Sequence, residues 1–172
     1  AVALPAAITV DTLAVREILD GNCSLREALL AAKLDIPVDA CAAGALAGDR
    51  IDIPAGTYNV GTPLVVDGTS GPLELHGIAA PTRPVLLGSG PAHAILRIAP
   101  GQTVTLDHLQ ISFGSPGIES SQSHLVVRDC LLGLNPNRAL IFEAGASGSL
   151  VIERSVIANN TATGASAGVN LF

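Results

Sequence analysis

The sequence predicts an all-β fold: a right-handed parallel β-helix of about five coils, with an N-terminal strand and an α-helical cap. A segment of eleven residues recurs five times after Arg50, with apolar side chains in the same columns. Hydrophobic residues make up 48% of the 172 and aromatics only 2%, so the core must be built from Ala, Val, Leu and Ile. Eighteen glycines and eleven prolines demand frequent bends, which suits short strands better than a helical bundle.

Ile8 to Leu13 alternates apolar and polar residues as a strand does, and Asp20-Gly21-Asn22 breaks the pattern. A helix is expected from Ser24 to about Lys33. Ser24 is a good N-cap, and Glu27 three residues on completes a capping box. Leu25, Ala28, Leu29 and Ala32 recur at helical spacing and form a narrow apolar face. Asp35 to Gly48 reads as an irregular loop rich in Ala, Gly, Pro and Asp. Residues 1–49 are thus the expected N-terminal cap, and residues 50–172 the coils.

The five segments are Ile51 to Gly61, Leu73 to Arg83, Val104 to Gly114, Leu125 to Asn135 and Leu150 to Asn160. Laid over one another without gaps, their third column reads Ile53, Leu75, Leu106, Val127, Ile152. The eighth reads Tyr58, Ala80, Ile111, Leu132, Ile157. Starts spaced by 22, 31, 21 and 25 residues point to a solenoid whose loops vary in length. Further strands are expected at Leu64 to Val66, Ile95 to Ile98 and Leu140 to Phe142. The second segment fits worst, because Pro81 and Pro84 interrupt it, and Ser120 to Ser123 reads as a turn between coils. At about 4.8 Å per coil the stack spans roughly 24 Å.

Nine Lys and Arg against fifteen Asp and Glu give a formal charge of -6. No basic run exists to neutralise phosphates or to hold an anionic membrane surface, so neither nucleic acid nor membrane insertion is expected. No apolar run reaches the roughly 18 residues of a spanning helix. Ala1 to Ala7 is too short for a whole signal peptide and reads as the start of a processed chain or an arbitrary boundary. Gly164 to Phe172 shows no cap comparable to the N-terminal one. Either the native chain continues past Phe172, or the last coil pairs with another chain. In an exported protein Cys23 and Cys41 could close a loop, whereas Cys130 sits in a strand pattern as a small buried hydrophobe.

Cys23 to Ala28 spells CSLREA; Cys41, the strand Asp49 to Ile53 and the turn Pro54-Ala55-Gly56-Thr57-Tyr58 follow it, and Ile8 to Thr12 precedes it. These elements, in this order over about the first 60 residues, resemble the N-terminal signature of the exported bacterial proteins named for the CSLREA motif. The remainder resembles pectin-lyase-like β-helices in general. The resemblance implies a secreted or cell-surface location, a Cys23–Cys41 disulfide and a β-helix. It implies no reaction. The residues themselves favour a structural role for the motif, with Ser24 and Glu27 capping and Leu25 buried, over Arg26 and Glu27 acting on a substrate.

The outward columns carry the candidate chemistry. The fourth reads Pro54, His76, Asp107, Arg128, Glu153, and the fifth Ala55, Gly77, His108, Asp129, Arg154. For a polysaccharide lyase, Asp107, Asp129 and Glu153 would hold Ca2+ and Arg128 or Arg154 would take the proton; a hydrolase would need two free carboxylates. Charge alternation up the stack favours structural ion-pair ladders instead. Sugar clefts offer flat aromatic faces, and this chain has only Tyr58, Phe113, Phe142 and Phe172, of which Tyr58 and Phe142 fall at core positions. The four histidines lack metal-ligand spacing. The expectation is therefore a non-enzymatic secreted or cell-surface module that needs no cofactor and has a glycan or a surface protein as partner. The alternative is a carbohydrate-active enzyme of the pectin-lyase-like type, acting on acidic polysaccharide through Asp107, Arg128, Asp129 and Glu153.

Overall fold

Strand alternation puts every second side chain of each repeat inward, and stacked repeats then share one aliphatic interior. The computed structural model describes residues 6–78, 82–90, 93–162 and 167–172. Within them, β1 (Ala6–Thr9) and α1 (Leu25–Leu34) precede five coils of three strands each. The first coil holds β2 (Asp49–Ile53), β3 (Thr57–Val60) and β4 (Leu64–Val66). The second holds β5 (Leu73–Gly77), β6 (Val85–Gly88) and β7 (Leu96–Ile98). The third holds β8 (Thr103–Asp107), β9 (Gln110–Ser112) and β10 (Ile118–Ser121). The fourth holds β11 (His124–Arg128), β12 (Leu131–Gly133) and β13 (Leu140–Glu143), and the fifth β14 (Ser149–Glu153), β15 (Val156–Ala158) and β16 (Val169–Leu171). Three parallel sheets result, ordered β1-β2-β5-β8-β11-β14, β3-β6-β9-β12-β15 and β4-β7-β10-β13-β16. The chain is an all-β parallel solenoid, with one short helix among the described residues.

The helix begins as its residues dictate. The Ser24 hydroxyl accepts from the Glu27 amide, and Glu27 Oε2 accepts from the Ser24 amide at 2.9 Å. Leu25, Ala28, Leu29, Ala31 and Ala32 are buried beside β1, β2 and β4, within the same core as the coils. Cys23 and Cys41 form a disulfide that ties the 35–48 loop to the helix start. Arg26 clamps the helix to the first coil: its Nη1 donates to the Pro63 carbonyl at 3.1 Å and its Nη2 to the Thr62 hydroxyl at 2.7 Å.

Several expectations need correction. The gapless overlay slips by two residues in the first coil, where Ile51, not Ile53, pairs with Leu75. The corner Pro54-Ala55-Gly56 absorbs the two residues, so Tyr58 still meets the eighth column. A slip of two keeps inward residues inward, which hides it from the hydrophobic pattern. In the second coil Leu86, not Ala80, joins Tyr58 and Ile111, because the strand that carries this column begins only at Val85. Ala80 and Pro81 themselves lie outside the described residues, as does part of Gly164 to Phe172. The leading strand stops at Thr9 instead of Leu13. Ser120 and Ser121 are strand, not turn; Ser120 and Ser123 are buried and bond to each other through their hydroxyls.

The third-column side chains are sealed through the middle of the stack, with Ile51, Leu75, Leu106 and Val127 each at 0% exposure. Ile152 continues this row but is 36% exposed, because β14 is the last strand of its sheet and no coil covers it. Val156, Leu171 and Phe172 are exposed in the same coil. Tyr58 and Phe142 are core residues as expected.

Candidate functional site

The outward side of the first sheet assembles two rows, of which the second is polar throughout. One runs Arg50, Glu74, Thr105, Val126, Val151, and the other Asp52, His76, Asp107, Arg128, Glu153. Asp52 takes the place that the overlay gave to Pro54, again because of the two-residue slip. Each later coil then bends at a residue of left-handed conformation, with φ of 56° at His108, 51° at Asp129 and 46° at Arg154. Polar residues with short local hydrogen bonds tolerate such corners, which accounts for Asp and His there. Gly77 stands at the β5 corner because a Cβ would collide with the His108 carbonyl oxygen.

All four predicted site residues lie on this surface, and most of their charge is spent on neighbouring charged side chains. Asp107 Oδ2 is 2.8 Å from His76 Nδ1, and its Oδ1 is 3.2 Å from Arg128 Nε. Arg128 reaches past the third coil to Glu74, with Nη2 2.5 Å from Oε1. Arg154 grips Asp129 with both prongs, at 3.0 and 2.7 Å. That pairing holds the Asp129 carboxyl below the usual carboxylate range. Burial pulls the Arg128 guanidinium down, but Asp107 and Glu74 more than offset it and hold its pKa above the ordinary value. An arginine so bound is a poor proton acceptor. Of the three carboxylates assigned to Ca2+, only Glu153 is loosely held, 3.8 Å from Arg154 Nη1.

His76, Gly77, Ile78, Asp107, His108 and Asp129 line one shallow depression on this surface. Sequence reasoning put His76 and His108 in the outward columns but missed Glu74. The available signal was its place two residues before His76 on the same strand face. The motif residues Arg26 and Glu27 do not join the surface. Both oxygens of the buried Glu27 accept backbone amides, from Ser24 at 2.9 Å and Ile18 at 2.8 Å.

Cys130 is a free thiol at 1% exposure, accepting from the Leu109 amide at 3.5 Å. Burial pushes its pKa up to about 11. At pH 8 only about one thiol in a thousand is then thiolate, and that one is out of reach. Iodoacetamide should therefore leave Cys130 unmodified in the native protein and label it fully in denaturant, as read by intact mass. Rapid native labelling would show that the fourth-coil corner opens.

Among the described residues no helix is long and apolar enough to cross a membrane. No protein-family model, curated protein or solved structure matches the chain.

Proposed function

We propose that the chain is a non-enzymatic, exported module: a rigid right-handed β-helix that presents its outward sheets at a cell surface or in a secreted assembly. One observation carries this most: of the residues that would do carbohydrate chemistry, Asp107, Arg128 and Asp129 are tied up in cross-coil ion pairs. The disulfide fits an oxidising compartment, as export implies. The order of elements around Cys23 to Ala28 adds the likeness to the exported CSLREA proteins. Right-handedness follows the general rule for parallel crossovers. The partners such a module fits are a glycan or a surface protein.

The depression lined by His76, Asp107, His108 and Asp129 favours a second reading, a pectin-lyase-like enzyme acting on acidic polysaccharide with Ca2+. A thermal-shift screen separates the two. Polyuronates and neutral glycans are titrated with and without Ca2+. Binding to the folded state must raise its stability by about 2.7 kcal/mol at a hundredfold excess over Kd. The module reading expects no Ca2+-dependent rise with any polyuronate. Such a rise, abolished by Asp129→Ala without loss of the basal melting temperature, would replace it with the enzyme.

A further inference from the structure

Glu74 and His76 leave β5 on the same side, two residues apart, and Asp107 is the in-register neighbour of His76 on β8. The coil spacing therefore stacks three metal-ligating side chains from two turns of the solenoid. One donor atom from each lies within 4.8 Å of the other two. His76 Nδ1 and Asp107 Oδ2 are already 2.8 Å apart. That is close to the about 2.9–3.4 Å that separates two donors each roughly 2.0–2.1 Å from one ion. Glu74, with three side-chain torsions, is the adjustable member. One imidazole and two carboxylates suit a zinc-class transition-metal ion, and suit Ca2+ poorly, since it takes six to eight oxygens.

What fills the cluster now is a cation, the Arg128 guanidinium, bound to Glu74 and Asp107. Arg128 also has an acidic station on its other side. Glu153 is its in-register partner on β14, half exposed and with only the 3.8 Å contact to Arg154. Counting only Glu74, Asp107 and Arg128, two carboxylates and one guanidinium leave one negative charge. A divalent ion in place of the guanidinium leaves none, and the displaced arginine exchanges one surface carboxylate for another. Asp52 does not compete for the ion, because Arg50 holds it at 2.7 Å.

A separate observation points to a ligand at the same place. His108 lines the depression shared with His76 and Asp107, and its Nε2 is shut from solvent without a hydrogen-bond partner. A sealed imidazole nitrogen with nothing to bond is unfavourable. A water carried on an adjacent ion is the kind of donor that nitrogen lacks, in the manner of outer-shell groups that steady metal ligands.

We propose that Glu74, His76 and Asp107 form a binding site for a divalent zinc-class ion, and that Arg128 guards it, occupying the site as a counter-cation and moving to Glu153 when the ion enters. The ion would clasp the second and third coils together across their outward face. The proposal rests on these side chains alone and stands whether or not the module reading holds.

Calorimetric titration of the untagged chain with Zn2+ should show one saturable site, and Co2+ should give a ligand-field absorption band that Zn2+ removes and Ca2+ does not. His76→Gln should abolish both signals while leaving the circular dichroism unchanged, and Asp107→Asn should weaken them. Arg128→Gln, which removes the competing cation, should tighten binding by roughly tenfold, the factor expected if the arginine leaves the site vacant about a tenth of the time. Glu153→Gln touches no ligand, yet it should weaken binding severalfold, because the displaced arginine loses its station. The proposal is overturned if the unmodified chain binds no ion saturably, if binding survives His76→Gln at full strength, or if it appears only once Arg128 is gone. Unchanged affinity in Glu153→Gln would overturn the guarding role of Arg128.

Discussion

Leu106→Ala is expected to lower the unfolding free energy by about 2–4 kcal/mol, and Ile152→Ala, in the same inward row, by only about 1 kcal/mol. Leu106 has 0% exposure and lies between the second and fourth coils. Its β8 backbone is held by parallel ladders on both sides, so the walls of the cavity cannot close inward when the side chain is cut back. The loss is then the transfer term plus an unrelieved cavity term. Ile152 is 36% exposed, and water enters where its side chain was, leaving little beyond the lost partial burial. Urea unfolding with the slope held common between variants reads both values. Equal costs at the two positions would mean that something covers the last coil in solution. That outcome would direct the search for a partner to the exposed Ile152, Val156 and Leu171.

Sequence reasoning treated those two residues alike because it reads periodicity, and periodicity carries no information about what stacks above a coil. The same limit explains most of the differences. Alternation of apolar side chains located all three strands of the first sheet in the middle coils and the correct register from Leu73 through Leu150. It could not see the two-residue slip at Pro54-Ala55-Gly56, since period two is blind to a shift of two. It could not place β10, because Ser120 satisfies its buried hydroxyl through Ser123 instead of being apolar. The capping box was fully legible, being local. The choice made by Arg128 was not. By register it stands beside both Asp107 and Glu153, and only its long side chain, folded back over two coils to Glu74, decides between them. Ion pairs that skip a coil are set by side-chain reach and rotamer, which no column of residues encodes.

Reduction of the disulfide is the second large effect. Cys23 and Cys41 are separated by 18 residues, and in the chain-entropy account opening such a loop returns about 3 kcal/mol of freedom to the unfolded state. For a chain of this length that corresponds to a fall of roughly 6–12 °C in melting temperature. The loss should be local first. Cys23 precedes the N-cap Ser24, and Cys41 anchors the loop whose Ala45 amide is held at 2.8 Å by the buried Asp49 of β2. Opening the bond therefore frees the helix start and the lead strand of the first coil together. Solenoid stability is a sum of units and their nearest-neighbour contacts, so the third and fourth coils should keep their protection. Hydrogen exchange with and without reductant reads this directly: amides of α1, β1 and β2 should exchange faster, and those of β8 and β11 should not. A Cys23→Ala/Cys41→Ala variant should reproduce the effect without reductant, since both sulfurs are buried and Cys130 is left untouched. Three free thiols by mass spectrometry in the unreduced protein would remove the disulfide from the account. Uniform loss of protection across all five coils would instead show that the first coil and the helix hold the whole stack in register, and that the solenoid unfolds as one unit from its N-terminal end.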